Sequence, residues 1–216
     1  MSVFCFEPCI LWYSYGMKHR CSEEWTGNDP VLMKYHDEEW GKPEHDEQKL
    51  TELFMLELFQ AGLSWSIILH KRENFRKAFD DFDPEKISRY DEKKVNELMQ
   101  NPGIIRNRKK IEATVNNASV ILKIRKEYGS FSKYLWHFTN DQSVLEEIHV
   151  THDSLSDDMS ADLKKRGMRF TGTVTVYSFL QAAGIIYSHT KECFRYQTDN
   201  ASSFEGNHYV SKRRKQ

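Results

Sequence analysis

The stretch that decides the fold is DEQKLTELFMLELFQAGLSW, residues 46–65. Asp46 stands where a helix N-cap belongs, and Leu50, Leu53, Phe54 and Glu57 follow at helical spacing, which predicts a helix over residues 46–60. Ala61-Gly62 ends that run, and Ser64 can cap a second helix from Trp65 to Phe79. Positions 53–56 and 58–59 are all apolar, so Glu57 stands out. A carboxylate there is either paired with a basic residue or lines a cavity, because burial without a partner is costly and raises its pKa. Trp65 lies downstream, and Tyr35 and Trp40 lie upstream in KYHDEEWG. Those rings fit two arrangements: a core around a paired Glu57, or a receptacle for a flat, cationic, hydrogen-bonding ligand.

Outward from this segment the pattern stays helical. Asp83-Pro84 reads as an N-cap with proline at the first helical position. Residues 91–100 form a polar amphipathic helix with Val95, Leu98 and Met99 inside, and Asn101-Pro102-Gly103 breaks it. A longer helix follows with Ile111, Val115, Ala118 and Leu122 on one side. Residues 141–160, polar and acidic, suit a long surface connection. The threonines and valines of 171–177 would suit a strand, whereas SFLQAAGIIYSH favours a buried helix. There are no internal repeats, and no linker divides two independent domains.

The hairpin NELMQNPGIIRNRKKIEA, residues 96–113, sets a glycine turn between two helices. Gly103 permits a tight backbone, and unpaired N–H groups at the next helix start form an anion site, with Arg106, Arg108, Lys109 and Lys110 beside it. Such a unit grips a DNA phosphate without reading sequence, although a charge run on a helical hairpin also fits a plain solvated face.

A chain of 216 residues with 39% hydrophobic and 13% aromatic content has enough apolar surface for a core, which argues against wholesale disorder. The formal net charge is −1, so a nucleic-acid partner has to be argued from local charge. No apolar run is long enough to cross a bilayer. Residues 3–16 are aromatic-rich but lack a basic leader and a cleavage site, so they do not read as a secretory signal. They are either a segment upstream of a start at Met17 or an arm. Residues 196–216 read as a polar basic tail ending near KRRK. Four cysteines are too few for a disulfide scaffold, and a reduced, cytoplasmic protein is expected.

Those cysteines invite a metal reading. His189 and Cys193 lie one helical turn apart, and Cys21 and His36 lie near the other end of the chain. Two thiolates and two imidazoles complete a tetrahedral zinc site, and a full ligand set marks such a site as structural. The spacing matches no common finger, and His19, His45, Cys5 and Cys9 compete for the same role.

Four blocks, YHDEEWGKPEHD (35–46), LFMLELFQAGLSWSIILHKRENFRKAFDDFDPEKI (53–87), NPGIIRNRKKIEATVNNA (101–118) and KKRGMRFTGTVTVYSFLQAAGIIYSHTKEC (164–193), occur in the order and spacing of a known family. Through them the chain resembles the 3-methyladenine DNA glycosylase I family from about Cys21 to Cys193. The resemblance implies an all-α helix-hairpin-helix glycosylase fold over residues 17–195, with a structural zinc joining its ends. It implies Cys21, His36, His189 and Cys193 as zinc ligands, and Glu57, Tyr35, Trp40 and Trp65 as the base pocket, with Glu57 central to the reaction. Gly62 and Leu63 match the tight loop that enters the DNA stack. The partner implied is double-stranded DNA carrying alkylated adenine, bound by a monomer without membrane attachment. A further pocket tyrosine of the family corresponds to Leu32, which is expected to loosen stacking. No aspartate lies between Asp91 and Asp141, so the aspartate that the wider superfamily places beyond the hairpin is missing. The family works without it, because a methylated base is already a good leaving group.

Overall fold

The computed structural model describes residues 19–21, 26–145, 150–199, 201–204, 206, 207, 209 and 211. At its centre lies the helix expected from the opening stretch. Asp46 Oδ1 accepts from the Lys49 N–H at 2.9 Å, and the helix runs Glu47–Gln60. Every residue from Leu50 to Phe59 is buried, including Glu52 and Glu57, so this helix is surrounded by protein.

Among the described residues the α-helices in chain order are α1 (Pro30–Glu38), α2 (Glu47–Gln60), α3 (Trp65–His70), α4 (Arg72–Ala78), α5 (Pro84–Ile87), α6 (Glu92–Gln100), α7 (Arg108–Tyr128), α8 (Phe131–Trp136), α9 (Ser154–Lys165), α10 (Thr173–Ala182) and α11 (Phe194–Thr198). The fold is thus mostly helical, with one departure from an all-α reading. A two-residue parallel pair, β1 (Val144–Leu145) with β2 (Ile186–Tyr187), joins Val144 to Ile186 and Leu145 to Tyr187.

Three other expectations are corrected. The helix expected from Trp65 to Phe79 is interrupted at Lys71 (φ −100°, ψ 0°), which ends α3 and caps α4. The break turns Arg72 and Arg76 onto the buried carboxylate of Glu52 and frees Lys71 Nζ to bond the Pro102 carbonyl at 3.1 Å. The acidic connection becomes helical from Ser154, because Asp153 and Ser156 form a reciprocal capping box. The buried helix around SFLQAAGIIYSH stops at Ala182, and Ile186 and Tyr187, suited to extended backbone, enter the strand pair instead.

In the polar tail, Ala201–Phe204 form a 3-10 turn, and Tyr209 and Ser211 hydroxyls bond Asp158 on α9. The KRRK segment and residues 1–18 lie outside the described residues. Among the described residues no helix is long and apolar enough to cross a membrane.

The hairpin is present, with Asp91 capping α6 and Asn107 capping α7. Ile111, Ala118, Ile121 and Ile124 bury one face of α7, while Val115 and Leu122 sit only half-buried beside it. Lys110, in the first turn of α7, was expected among the DNA-facing cations. Its ammonium instead turns inward and bonds the carbonyls of Phe59 at 2.7 Å and Ala61 at 2.6 Å. These are orphan acceptors at the end of α2, where a helix carries partial negative charge. Burial pushes the Lys110 pKa down, and the two carbonyls hold the amine in place. Lys110→Met leaves both acceptors without this donor and should cost about 2–3 kcal/mol. Urea unfolding measures this loss, and an unchanged midpoint would show that the bond carries no net stability.

Candidate active site and metal cluster

The end of α2, the start of α3 and one face of α10 enclose a cavity of about 270 Å³ together with α1 and the turn behind it. Its walls are Tyr35, Trp40, Glu57, Gln60, Trp65, Ser178 and Gln181. All four residues expected to form the pocket therefore meet there. The Tyr35 and Trp65 ring centroids are 5.5 Å apart at 55°, leaving two aromatic surfaces inclined toward one another.

Glu57 is 5% exposed and makes no hydrogen bond or ion pair among the described residues. This selects the cavity-lining alternative over the paired one. Burial alone pushes its pKa up to about 8. The Tyr35 hydroxyl, also buried, finds no hydrogen-bond partner, and burial followed by the nearby Glu57 raises its pKa well above the usual tyrosine range. A buried carboxylate and a buried phenol left open on one cavity form a site for a ligand with donors of its own.

Gln60, Ser178 and Gln181 were not anticipated as lining residues. Gln181 had a signal, since it interrupts an apolar run much as Glu57 does. Its amide bonds the Ser188 hydroxyl at 2.9 Å. Gln60 ends α2 and bonds the Leu63 carbonyl at 3.1 Å, while the Leu63 N–H returns to the Gln60 carbonyl at 2.6 Å. This pair folds the short loop at the cavity rim. Gly62 occupies φ +80° there, exposed, with open space beyond its Cα. That region favours glycine. Leu32 is buried in the hydrophobic core one turn from Tyr35 and is absent from the cavity wall.

Behind the wall of α1 lies a second constellation. Cys21, His36, His189 and Cys193 offer ligand atoms that all lie within 4.8 Å of one another. Cys21 Sγ is 3.4 Å from His36 Nε2 and 3.3 Å from His189 Nδ1, and Cys193 Sγ is 3.6 Å from each. Bond lengths of about 2.3 Å to sulfur and 2.0–2.1 Å to nitrogen around a tetrahedral ion place S and N about 3.6 Å apart. The four residues therefore fit a metal ion. The remaining ring nitrogens are oriented from outside: His36 Nδ1 meets Asp37 Oδ1 at 2.9 Å, and His189 Nε2 meets the Trp40 carbonyl at 3.1 Å. Without a cation the two thiols cannot both ionise. Hydrogen bonding to Cys193, then burial, raises the pKa of Cys21, while the same bond lowers that of Cys193. His19 and His45 form no part of the cluster, and Cys5 and Cys9 lie outside the described residues.

The two sites share their scaffold. Tyr35 faces the cavity and His36, the next residue, faces the cluster. Trp40 lines the cavity, and its ring stands 4.7 Å from that of His189. At the other end of α1, the capping carboxylate of Asp29 also accepts from Ser66 at 2.8 Å and lies 2.9 Å from His70 Nε2. The Ser66 bond, helped by His70, holds the Asp29 pKa down at about 2. The Tyr35 helix is thereby tied to the Trp65 helix.

The hairpin cations separate by environment. Arg106 and Lys109 are exposed and make no hydrogen bond or ion pair among the described residues. Arg108 bonds Asn96 and pairs with Glu92 at 2.8 Å and Glu112 at 3.4 Å. Gly103 donates its N–H to Asn101 Oδ1 at 2.8 Å, so that N–H is already used within the turn. A Cβ at this position would approach Asn101 Oδ1 to 3.0 Å and Asn74 Cβ to 3.1 Å, which explains the glycine by close packing.

Comparisons with known proteins agree with this geometry. The sequence model of the methyladenine glycosylase family matches residues 25–196. A DNA-3-methyladenine glycosylase 1 of Escherichia coli (strain K12) is 44% identical over 183 residues, covering 82% of this chain and 96% of the relative. A DNA-3-methyladenine glycosylase of Haemophilus influenzae is 42% identical, covering 82% of this chain and 97% of the relative. A solved structure of 3-methyladenine DNA glycosylase I from Staphylococcus aureus, determined for its recognition of 3-methyladenine, superposes with a TM-score of 0.78 at 42% identity, over 82% of this chain and 97% of that one. With matches of this identity running from the metal cluster through the cavity to the hairpin, the chain belongs to the methyladenine glycosylase family.

Proposed function

We propose that this protein is a DNA-3-methyladenine glycosylase that removes the alkylated base from duplex DNA by hydrolysing its N-glycosidic bond. The observation that carries this reading is Glu57, a buried carboxylate with no protein partner in an aromatic-walled cavity. Methylation at N3 gives adenine a positive charge; beside such a cation Glu57 gives up the proton that burial retains, and the anion so formed out of water is strongly complementary to it. The base can reach Glu57 only after it leaves the duplex stack. Tyr35, Trp40 and Trp65 then replace the stacking it has lost, and Glu57 accepts hydrogen bonds from its edge. Ordinary adenine lacks the charge that would draw the proton from Glu57, so it gains no ion pair there.

The leaving group does much of the chemistry. Water attacks the sugar at C1′, the bond to the base breaks, and its electron pair neutralises the cationic ring. The products are neutral 3-methyladenine and an abasic sugar, and the proton of the attacking water goes to solvent. The α7 helix contributes no aspartate, and such a leaving group needs no strong protein base. Among the described residues no lysine lines the cavity, and Lys110 is bound to two carbonyls, so we assign a monofunctional reaction without strand cleavage. Gly62 and Leu63 occupy the space vacated in the stack, and exposed Arg106 and Lys109, with Gly103 shaping the turn, hold the phosphate backbone. Arg108 contributes once its contacts to Glu92 and Glu112 yield to the phosphate.

Zinc is the metal that two thiolates and two imidazoles select with tetrahedral spacing, and we assign Cys21, His36, His189 and Cys193 as its ligands. When bound, it supplies cross-linking of distant chain segments, with every position taken by protein. A monomer acting in the cytoplasm completes the reading.

Release of 3-methyladenine from alkylated duplex DNA is the deciding assay, and a zinc-loaded protein that releases none would refute the enzyme. Glu57→Gln should lower both base release and binding of free 3-methyladenine by tenfold or more, an electrostatic effect of roughly 1.4 kcal/mol at least. Unchanged affinity would remove Glu57 from the pocket.

The same group sets a pH signature. Its folded pKa of about 8 lies above the ordinary 4.5, so the folded state retains a proton that the unfolded chain releases. Glu57 therefore costs stability progressively as pH rises from about 4.5 to about 8, toward roughly 4 kcal/mol. Glu57→Gln should melt higher than the parent at pH 8 and alongside it at pH 4; equal melting at both would contradict the buried carboxylate. Cys193→Ser should lower zinc from one ion per chain and reduce thermal stability, and full zinc content in that variant would overturn the ligand set.

A further inference from the structure

The loop between α9 and α10 carries the residues Gly167 to Gly172, and its backbone is pinned from beneath. Asn117, fully buried on α7, accepts from the Arg169 N–H at 2.8 Å and donates to the Arg169 carbonyl at 2.9 Å. Asn116 donates to the Gly167 carbonyl at 2.8 Å, and Ser160 on α9 donates to the Thr171 carbonyl at 2.6 Å. Between these fixed points Phe170 adopts φ +57°, a left-handed conformation that is unfavourable for a bulky side chain. Glycines flank it on both sides of the loop, yet the strained position holds an aromatic residue.

That ring does not earn its place in the core. Phe170 is 39% exposed and lies outside the core cluster. Arg169 beside it is exposed, as are Lys164 and Lys165, and none of the three has an ion-pair partner among the described residues. From Leu163 to Gly172 the sequence contains no acidic residue. Strain at a rigidly held, solvent-facing residue is the pattern of a binding element.

Its position says what it would bind. Val174, 53% exposed in the first turn of α10, precedes Ser178 by four residues on the same face, and Ser178 and Gln181 line the cavity. Val174 therefore stands about one helical turn, roughly 6 Å, above the cavity wall, and the loop joins the helix just beyond it. The α7 helix that begins at the hairpin also carries Asn116 and Asn117, so one rigid rod spaces the hairpin from this loop.

We infer that the 167–172 loop is a second DNA contact, in which Arg169 takes a backbone phosphate and Phe170, with Val174, packs against the nucleotide flanking the extruded one. The inference rests on the glycosylase reading for its partner: a strand that delivers a base to Glu57 must pass this rim. The loop offers that strand a cation for its phosphates and an aromatic surface for its sugar and base edge.

The test uses the full chain and a duplex containing a single abasic-site analogue, with affinity measured across a salt series. Arg169→Ala should weaken binding and reduce the salt dependence by about one phosphate contact, a change in slope near 0.9. Phe170→Gly should weaken binding about tenfold. Glycine suits φ +57°, so this variant should melt at or above the parent temperature and bind free 3-methyladenine as the parent does. Two results would overturn the inference: both variants binding the duplex within about twofold of the parent with unchanged salt slopes, or Phe170→Gly losing free-base affinity in parallel with duplex affinity. The abasic duplex requires no base release, so these outcomes are separable from failure of the enzymatic reading, which the parent chain's release assay decides.

Discussion

Glu57 is a carboxylate on a helix that is otherwise buried on every side, and the surrounding protein gives it no cation. Most of the neighbouring structure can be understood as keeping that arrangement intact. Glu52, one and a half turns earlier on α2, shows the alternative fate of a buried carboxylate, since Arg72 and Arg76 both bond it. Two acidic residues on one helix therefore have opposite roles. Glu52 joins α2 to α4, while Glu57 stays open to the cavity, at a cost in stability that a paired residue would avoid. Lys110, whose ammonium lies at the end of α2, is committed to main-chain carbonyls.

The metal cluster has a closer relation to the cavity than a simple tie between chain ends would require. Successive residues of α1 serve the two sites, and the Trp40 carbonyl that meets His189 belongs to a residue of the cavity wall. Filling the cluster would fix the rotation of α1, and with it the direction of the Tyr35 ring. A metal ion held there need not touch the substrate to matter for recognition. It would define one wall, while Asp29, through Ser66 and His70, defines where that wall meets α3.

Local charge proved a poor guide to which cations face a partner. Four basic residues stand together at the hairpin, yet the fold sends one inward, pairs another with acids, and leaves Arg106 and Lys109 open to solvent. Lys71, from a different segment, reaches the hairpin turn and bonds its carbonyls. The turn is thus held by a side chain that no hairpin motif contains. The same limitation concealed Arg169 and Phe170, whose importance depends on Asn117 and on the backbone conformation that it enforces.

By itself, the sequence determined the central helix, because apolar residues at helical spacing after an N-cap have few other solutions. It also marked Glu57, since one charge in an apolar run requires an explanation, and four blocks in order carried the family. Short-range patterns could not decide events governed by distant partners. The break at Lys71 brings Arg72 and Arg76 to Glu52, and the strand pair forms because Val144 and Ile186 meet across the fold. Cys21, His36, His189 and Cys193 were chemically suitable ligands, but only three-dimensional proximity separated them from His19 and His45. Gln60 and Ser178 became cavity residues for the same reason. Periodicity specifies which side of a helix avoids water, whereas the packing of one helix against another decides which polar groups are left facing a shared space.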